Sequence, residues 1–198
     1  MKTPKPTPFF VLIMMLLWPI AAWAHVESGQ ASGFASGLLH PVSGLDHVLA
    51  MVAVGLWGAQ LGNPAMWLLP VAFPMMMAVG GMLGLIGVPF PGIEAGIAVS
   101  GIVLGALILG QVKMPTPVAL GIVAFFAVFH GHAHGTELAA GQNAILYSLG
   151  FVIATGTLHA VGITLGLIHR WNVGRLALRC AGSIVLAGGL FFLWGAVS

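Results

Sequence analysis

The stretch AMWLLPVAFPMMMAVGGMLGLIG, residues 65–87, carries no charged side chain over its whole length. At 1.5 Å per helical residue it extends for about 34 Å, enough for the roughly 30 Å hydrocarbon core of a bilayer. It has company on both sides. The chain after its first 24 residues divides into six apolar stretches, 33–61, 65–87, 92–112, 116–135, 141–168 and 174–196. Turn signals separate them at Gly62-Asn63-Pro64, Val88-Pro89-Phe90-Pro91-Gly92, Lys113-Met114-Pro115, Gly135 to Gly141, and Arg170-Trp171-Asn172. The expected fold class is an all-α integral membrane protein of about six transmembrane helices.

Composition agrees. The 198 residues are 59% hydrophobic and 5% charged, with a mean hydropathy of +1.07. Soluble domains carry about 25% charged residues. Six basic and four acidic side chains do not make a water-soluble surface, so membrane lipid is the expected solvent. A pI near 9.1 then reports topology and not nucleic-acid binding. The single cysteine, Cys180, excludes an internal disulfide and gives a zinc finger or iron–sulfur cluster no ligands. Histidine stands out, with eight residues against four carboxylates.

Residues 1–24 read as a cleavable signal peptide. Lys2 and Lys5 form its basic start, Phe9 to Ile20 its apolar core, and Ala22-Trp23-Ala24 a small-x-small cleavage site. Cleavage leaves residues 25–198 as a six-helix membrane domain whose mature N-terminus begins at His25 in the periplasm of a bacterial inner membrane. The cations then obey the positive-inside rule. Lys113 falls between the third and fourth stretches, and Arg170 and Arg175 at the junction of the fifth and sixth, with Arg179 nearby. Glu27, Glu94 and Glu137 fall on the outer side. Glu94 begins the third stretch, where the helix dipole favours a carboxylate, and is expected to be structural. The first and fourth stretches each open a three-helix half with a histidine- and glycine-rich segment. Such a plan suggests a 3+3 inverted repeat.

Four constellations suit a metal. His40-Pro41-Val-Ser43-Gly44-Leu-Asp46-His47 lies in the outer half of the first stretch. On an unbroken helix His40 and His47 share one stripe, about 20° apart. Asp46 points about 100° from His47, free to orient a histidine as carboxylates beside metal sites do. Pro41 removes a helical partner from the Gly37 carbonyl. The second constellation is Phe129-His130-Gly-His132-Ala-His134-Gly-Thr-Glu137, in which spacings of four and seven put His130, His134 and Glu137 on one face. His132 points the other way, toward the interface. The third pairs Thr155 with His159 on one face of the fifth stretch. The fourth is the exposed His25-Val-Glu27 terminus. Imidazole suits nickel, copper, zinc and cobalt, and a carboxylate completes the set. Ionisable groups inside a membrane are functional candidates by default. Pro70 and Pro74 are expected to kink the second helix. Met75 to Met77 read as lipid-facing or packing residues, and His169 as a solvated loop residue.

The run His40-Pro41…Gly44…Asp46-His47, followed by Ala50-Met51 and Val54-Gly55, resembles the HupE/UreJ family of hydrogenase and urease accessory proteins. Phe129 to Glu137 is similar to that family's second signature, with His130, His134 and Glu137 at its characteristic positions and His132 at a variable one. The segment around Thr155, His159 and Gly162 is similar to its third polar helix. The resemblance covers essentially the whole chain. It implies a permease that supplies nickel, or cobalt in some members, to nickel enzymes. The spacing His-x5-Asp-His departs from the His-x4-Asp-His of the larger nickel/cobalt transporter family.

The expected function is thus a transition-metal permease with a divalent ion as its cargo, no resident cofactor and no enzymatic reaction. The metal candidates are His40, Asp46, His47, His130, His134, Glu137, His159 and His25. No phosphate-loop motif is present for ATP hydrolysis. Two alternatives stand beside this reading. One is an intramembrane zinc-dependent hydrolase. The other is a metal-binding sensor or assembly subunit without flux. Oligomeric state is not legible.

Overall fold

A computed structural model describes residues 32–137 and 143–198. The signal peptide, His25 and Glu27 lie outside the described residues, as do residues 138–142. Among the described residues the chain is all-α: α1 (Ser32–Ser43), α2 (Leu45–Leu61), α3 (Ala65–Leu85), α4 (Ile93–Leu109), α5 (Thr116–Glu137), α6 (Ala144–Gly166), a 3-10 turn at Leu167–Arg170, and α7 (Asn172–Val197).

Local chemistry sets these bounds. Asn143 caps α6, its side-chain oxygen accepting from the backbone N–H groups of Ile145 and Leu146 at 3.1 Å each, which satisfies two donors that a helix start leaves unpaired. Gly92 precedes α4 with a φ of 69°, a left-handed conformation that costs glycine little. Prolines 70 and 74 do not interrupt α3, which runs through both as one helix. His169 is half-buried in the 3-10 turn, where its Nδ1–H donates to the Gly166 carbonyl at 2.9 Å.

The expected first helix is broken. α1 and α2 meet at an angle of 80°, with the break at Gly44 and not at Pro41, which sits inside α1. Four helices, α3, α5, α6 and α7, are long and apolar enough to cross a bilayer alone, and the bent α1–α2 pair, a broken span or a re-entrant loop, counts as a fifth if it is one span. α4 is also apolar and shorter, at 17 residues, about 26 Å. By length and composition the described residues thus supply four to five candidate spans of a multi-pass membrane protein, with α4 a shorter apolar helix at the third expected stretch. The chain's polarity is inverted relative to a soluble protein. Ile145, Val173, Phe191 and Trp194 are exposed, whereas Gln60, Ser100, His130, His132, His134, Thr155 and His159 are buried.

Three helix pairings dominate: α1 and α2 against α6, α3 against α5, and α4 against α7. Exchanging the first three helical stretches for the last three turns the first pairing into the second and leaves the third unchanged. This is the contact pattern expected of the 3+3 repeat. Small residues make the crossings tight, as in other membrane helix pairs. A Cβ added at Gly131 would overlap the Met77 carbonyl, and one at Gly135 that of Gly81. On the other crossing, a Cβ at Gly55 would overlap the His159 carbonyl, and one at Gly162 that of Val52.

Candidate metal site

In α5 the motif His130-Gly131-His132-Ala133-His134-Gly135 holds two interleaved pairs at spacing four. The glycines 131 and 135 dock on α3, and the histidines 130 and 134 lie about 100° around the helix from them. Backbone contact with α3 therefore aims both imidazoles into the interior. Here they meet the histidines of α1 and α2. Ring centroids lie 4.6 Å apart for His40 and His134, 4.4 Å for His47 and His134, and 4.9 Å for His47 and His130. Glu137 closes the group at its rim, with Oε2 3.2 Å from His40 Nε2 and 3.9 Å from His134 Nδ1. Ligand atoms of His40, His134 and Glu137 all lie within 4.8 Å of one another, close enough to share one metal ion. Side-chain exposure falls inward along the group, from 56% at Glu137 through 28% at His40 to 8% at His134, and His130 is fully buried.

The single-stripe expectation for His40 and His47 is overturned by the break at Gly44. The two residues still converge, because the bend turns α1 and α2 toward the same point on α5. A Cβ at Gly44 would stand 2.7 Å from Asp46 Oδ1 and 3.1 Å from His47 Nδ1. Any other residue there would therefore push the carboxylate away. Among the described residues Asp46 makes its hydrogen bonds within α2. Its Oδ1 accepts from the His47 backbone N–H at 2.9 Å and from His47 Nδ1–H at 3.0 Å.

Hydrogen bonds assign the tautomers. A carboxylate accepts from His47 Nδ1, so Nε2 keeps its lone pair, and that atom is buried with no hydrogen-bond partner. The Ser100 hydroxyl donates its one proton to the Ile97 carbonyl at 2.6 Å. It must then accept from His130 Nε2–H at 2.9 Å, and His130 Nδ1 is left bare and unpartnered. Neither ring nitrogen of His134 has a hydrogen-bond partner. In each oriented ring one nitrogen is tied down and the other offers a lone pair, the arrangement that positions histidine for a metal. Buried polar atoms without partners are uncommon in proteins and call for an explanation. A ligand accounts for several at once.

His132 does not face the interface. It is buried, donates Nε2–H to the Val88 carbonyl at 2.8 Å and stacks on Phe90. It tethers the 86–92 connection and takes no part in the cluster. His159 Nδ1–H donates to the Met51 carbonyl at 2.8 Å. The fully buried Phe73 stands between its ring and the cluster, with its ring centroid 5.5 Å from His159 and 5.4 Å from His130.

Sequence reasoning missed three residues. Ser100 and Phe73 are invisible as site residues because each acts across more than 25 positions of chain. Glu94 does sit in the first turn of α4, but it also lines a cavity of about 370 Å3 with Asp46, Ile97, Phe191, Phe192 and Trp194. That cavity touches the histidine group through Asp46, so a second carboxylate stands one step from the site.

Residues 13–192 match the family described as HupE / UreJ protein. Protein HupE of Rhizobium leguminosarum bv. viciae is 46% identical over 180 residues, covering 91% of this chain and 94% of that protein. The chain belongs to the HupE/UreJ family. The match spans every described helix except the last five residues of α7, so the cluster, the break at Gly44 and the three pairings all belong to the HupE/UreJ region of the sequence. No solved structure matches this HupE/UreJ chain.

Proposed function

We propose that this protein is a permease that imports nickel, with cobalt as a second substrate, from the periplasm to the cytoplasm and so supplies hydrogenase or urease maturation. One observation carries the reading: four imidazoles from α1, α2 and α5 meet in the interior, beside Asp46 and Glu137, with bare ring nitrogens available. Imidazole nitrogen and carboxylate oxygen form a suitable donor set for nickel or cobalt. The ligands are graded from exposed to buried, which suits an ion that enters from one side and is passed on. Membership of the HupE/UreJ family supports an accessory role toward nickel enzymes.

Direction follows from charge. Lys113 precedes α5, and Arg170 and Arg175 flank the connection from α6 to α7, whereas Glu137 ends α5. The positive-inside rule puts the cationic ends in the cytoplasm of a bacterial inner membrane and the Glu137 end in the periplasm. A divalent ion moving inward is driven by the membrane potential, at about 2.3 kcal/mol per charge per 100 mV.

Radioactive nickel uptake into cells expressing matched amounts of the wild type, His47→Ala and His130→Ala, with cobalt, zinc and copper as competitors, tests the reading. Uptake by the wild type that both variants lose is the expected result, and the competition order names the ion. Correctly inserted wild type with no uptake above empty-vector cells would overturn it. One tightly held zinc per purified chain would then favour the hydrolase.

A further inference from the structure

Beyond the cluster, α6 carries a buried stripe at spacing four: Tyr147, Phe151, Thr155 and His159. Its upper members line the site already described. The Tyr147 ring lies 5.8 Å from His40, and the Phe151 ring 4.6 Å from His134. The lower members lie one and two helical turns deeper, about 6 Å per step. Thr155 is fully buried and His159 is 1% exposed. Both present an orphan: Thr155 Oγ1 and His159 Nε2 have no hydrogen-bond partner. The opposite ring nitrogen of His159 is held by the Met51 carbonyl, so its tautomer is set with the lone pair on Nε2. Two unpartnered polar atoms on one face of one helix, inside a membrane domain, form a prepared site with no protein partner.

We propose that His159 Nε2 and Thr155 Oγ1 form a second, inner station for a late divalent transition-metal ion, continuous with the outer cluster along the α6 stripe and divided from it by the Phe73 ring. The proposal rests on the permease reading and adds to it the number of stops and the chemistry of the last one. No carboxylate is part of the inner station, unlike the outer group. Calcium and magnesium demand several oxygen ligands and find one hydroxyl there. Nickel and cobalt accept imidazole nitrogen. A neutral station also holds a dication less tightly than one beside Asp46 and Glu137, which suits release. Phe73 belongs to the same apolar core as Met51, Val54, Leu69 and Met77 and forms a dry partition that an ion passes only when the ring moves aside.

The test uses the full-length protein, purified in detergent for equilibrium binding of radioactive nickel and reconstituted in liposomes for uptake. His159→Asn keeps a side-chain N–H where Nδ1 donates to Met51 and removes the Nε2 ligand. Thr155→Val keeps the shape and removes the hydroxyl. Wild type should show a tighter and a weaker class of nickel. His159→Asn should lose the weaker class, keep the tighter one within about two-fold, and lower uptake by about ten-fold. Thr155→Val should weaken the second class by a few-fold without loss of thermal stability. The inner station is overturned if His159→Asn retains both classes, whatever happens to uptake. It is also overturned as a stop on the path if the weaker class disappears and uptake is unchanged. Wild type that binds and transports no nickel would overturn the permease reading itself, a result distinct from either.

Discussion

The outer cluster and the inner station use the same side chain in two different settings. The outer imidazoles stand beside carboxylates: Asp46 orients His47, and Glu137 reaches His40. The rim there is 56% exposed at Glu137. The inner imidazole, His159, is oriented by a backbone carbonyl and surrounded by apolar core. A carboxylate attracts a dication over a distance and partly offsets its lost hydration. A carbonyl-oriented imidazole offers only a lone pair. On the proposed permease reading the comparison separates capture from passage: charge belongs where the ion still carries water, and neutral nitrogen where it must be let go.

Ligand loss in the charged region should have the largest effect. His47→Ala removes a bare Nε2 from the centre of the cluster, and nickel uptake should fall by more than about 100-fold, above the range for losing an orienting partner. Asp46→Asn keeps the size of the side chain but no longer holds His47 with a charged acceptor. Nickel affinity of the tighter class should drop about 10- to 100-fold, measured by equilibrium binding. An unchanged affinity would mean that the carboxylate does not set the outer site. Ser100→Ala removes the acceptor of His130 Nε2–H and frees the ring to turn. Uptake should fall by only about ten-fold, at the low end of the same range, because Gly131 and Gly135 still fix α5 against α3. The smallest effect on transport belongs to His132→Phe. That variant keeps the stack on Phe90 and orphans the Val88 carbonyl. It should lose about 1–3 kcal/mol of stability, read as a lower melting temperature in detergent, with uptake per folded molecule unchanged. A large uptake defect there would place His132 on the path and redraw the boundary of the charged region.

Legibility in the sequence followed distance along the chain. The spacing of His130, His134 and Glu137 holds because all three lie on α5 and α5 is unbroken. His40 and His47 meet the α5 histidines in the structure, but not along the single stripe expected of them. An unbroken helix would have stacked them on one stripe. The 80° bend at Gly44 instead brings them to His134 from two helices. A glycine three residues beyond a proline offers two places to break, and the local pattern does not choose between them. The Asp46 carboxylate does choose, since it fills the space that a Cβ at Gly44 would need.

The sequence alone determined the solvent and the helical class, and it marked the candidate donor residues. With so few charges and such long apolar runs, only a bilayer and intrahelical hydrogen bonds satisfy the chain, and histidine beside carboxylate inside a membrane is a candidate donor set. Tertiary structure decided which side chains share a site. Ser100 on His130, Phe73 between His130 and His159, Glu94 beside Asp46, and His132 turned away to Val88 all depend on how helices cross. Those crossings are set by glycine-to-backbone contacts between helices far apart in sequence, and no single helix carries that information.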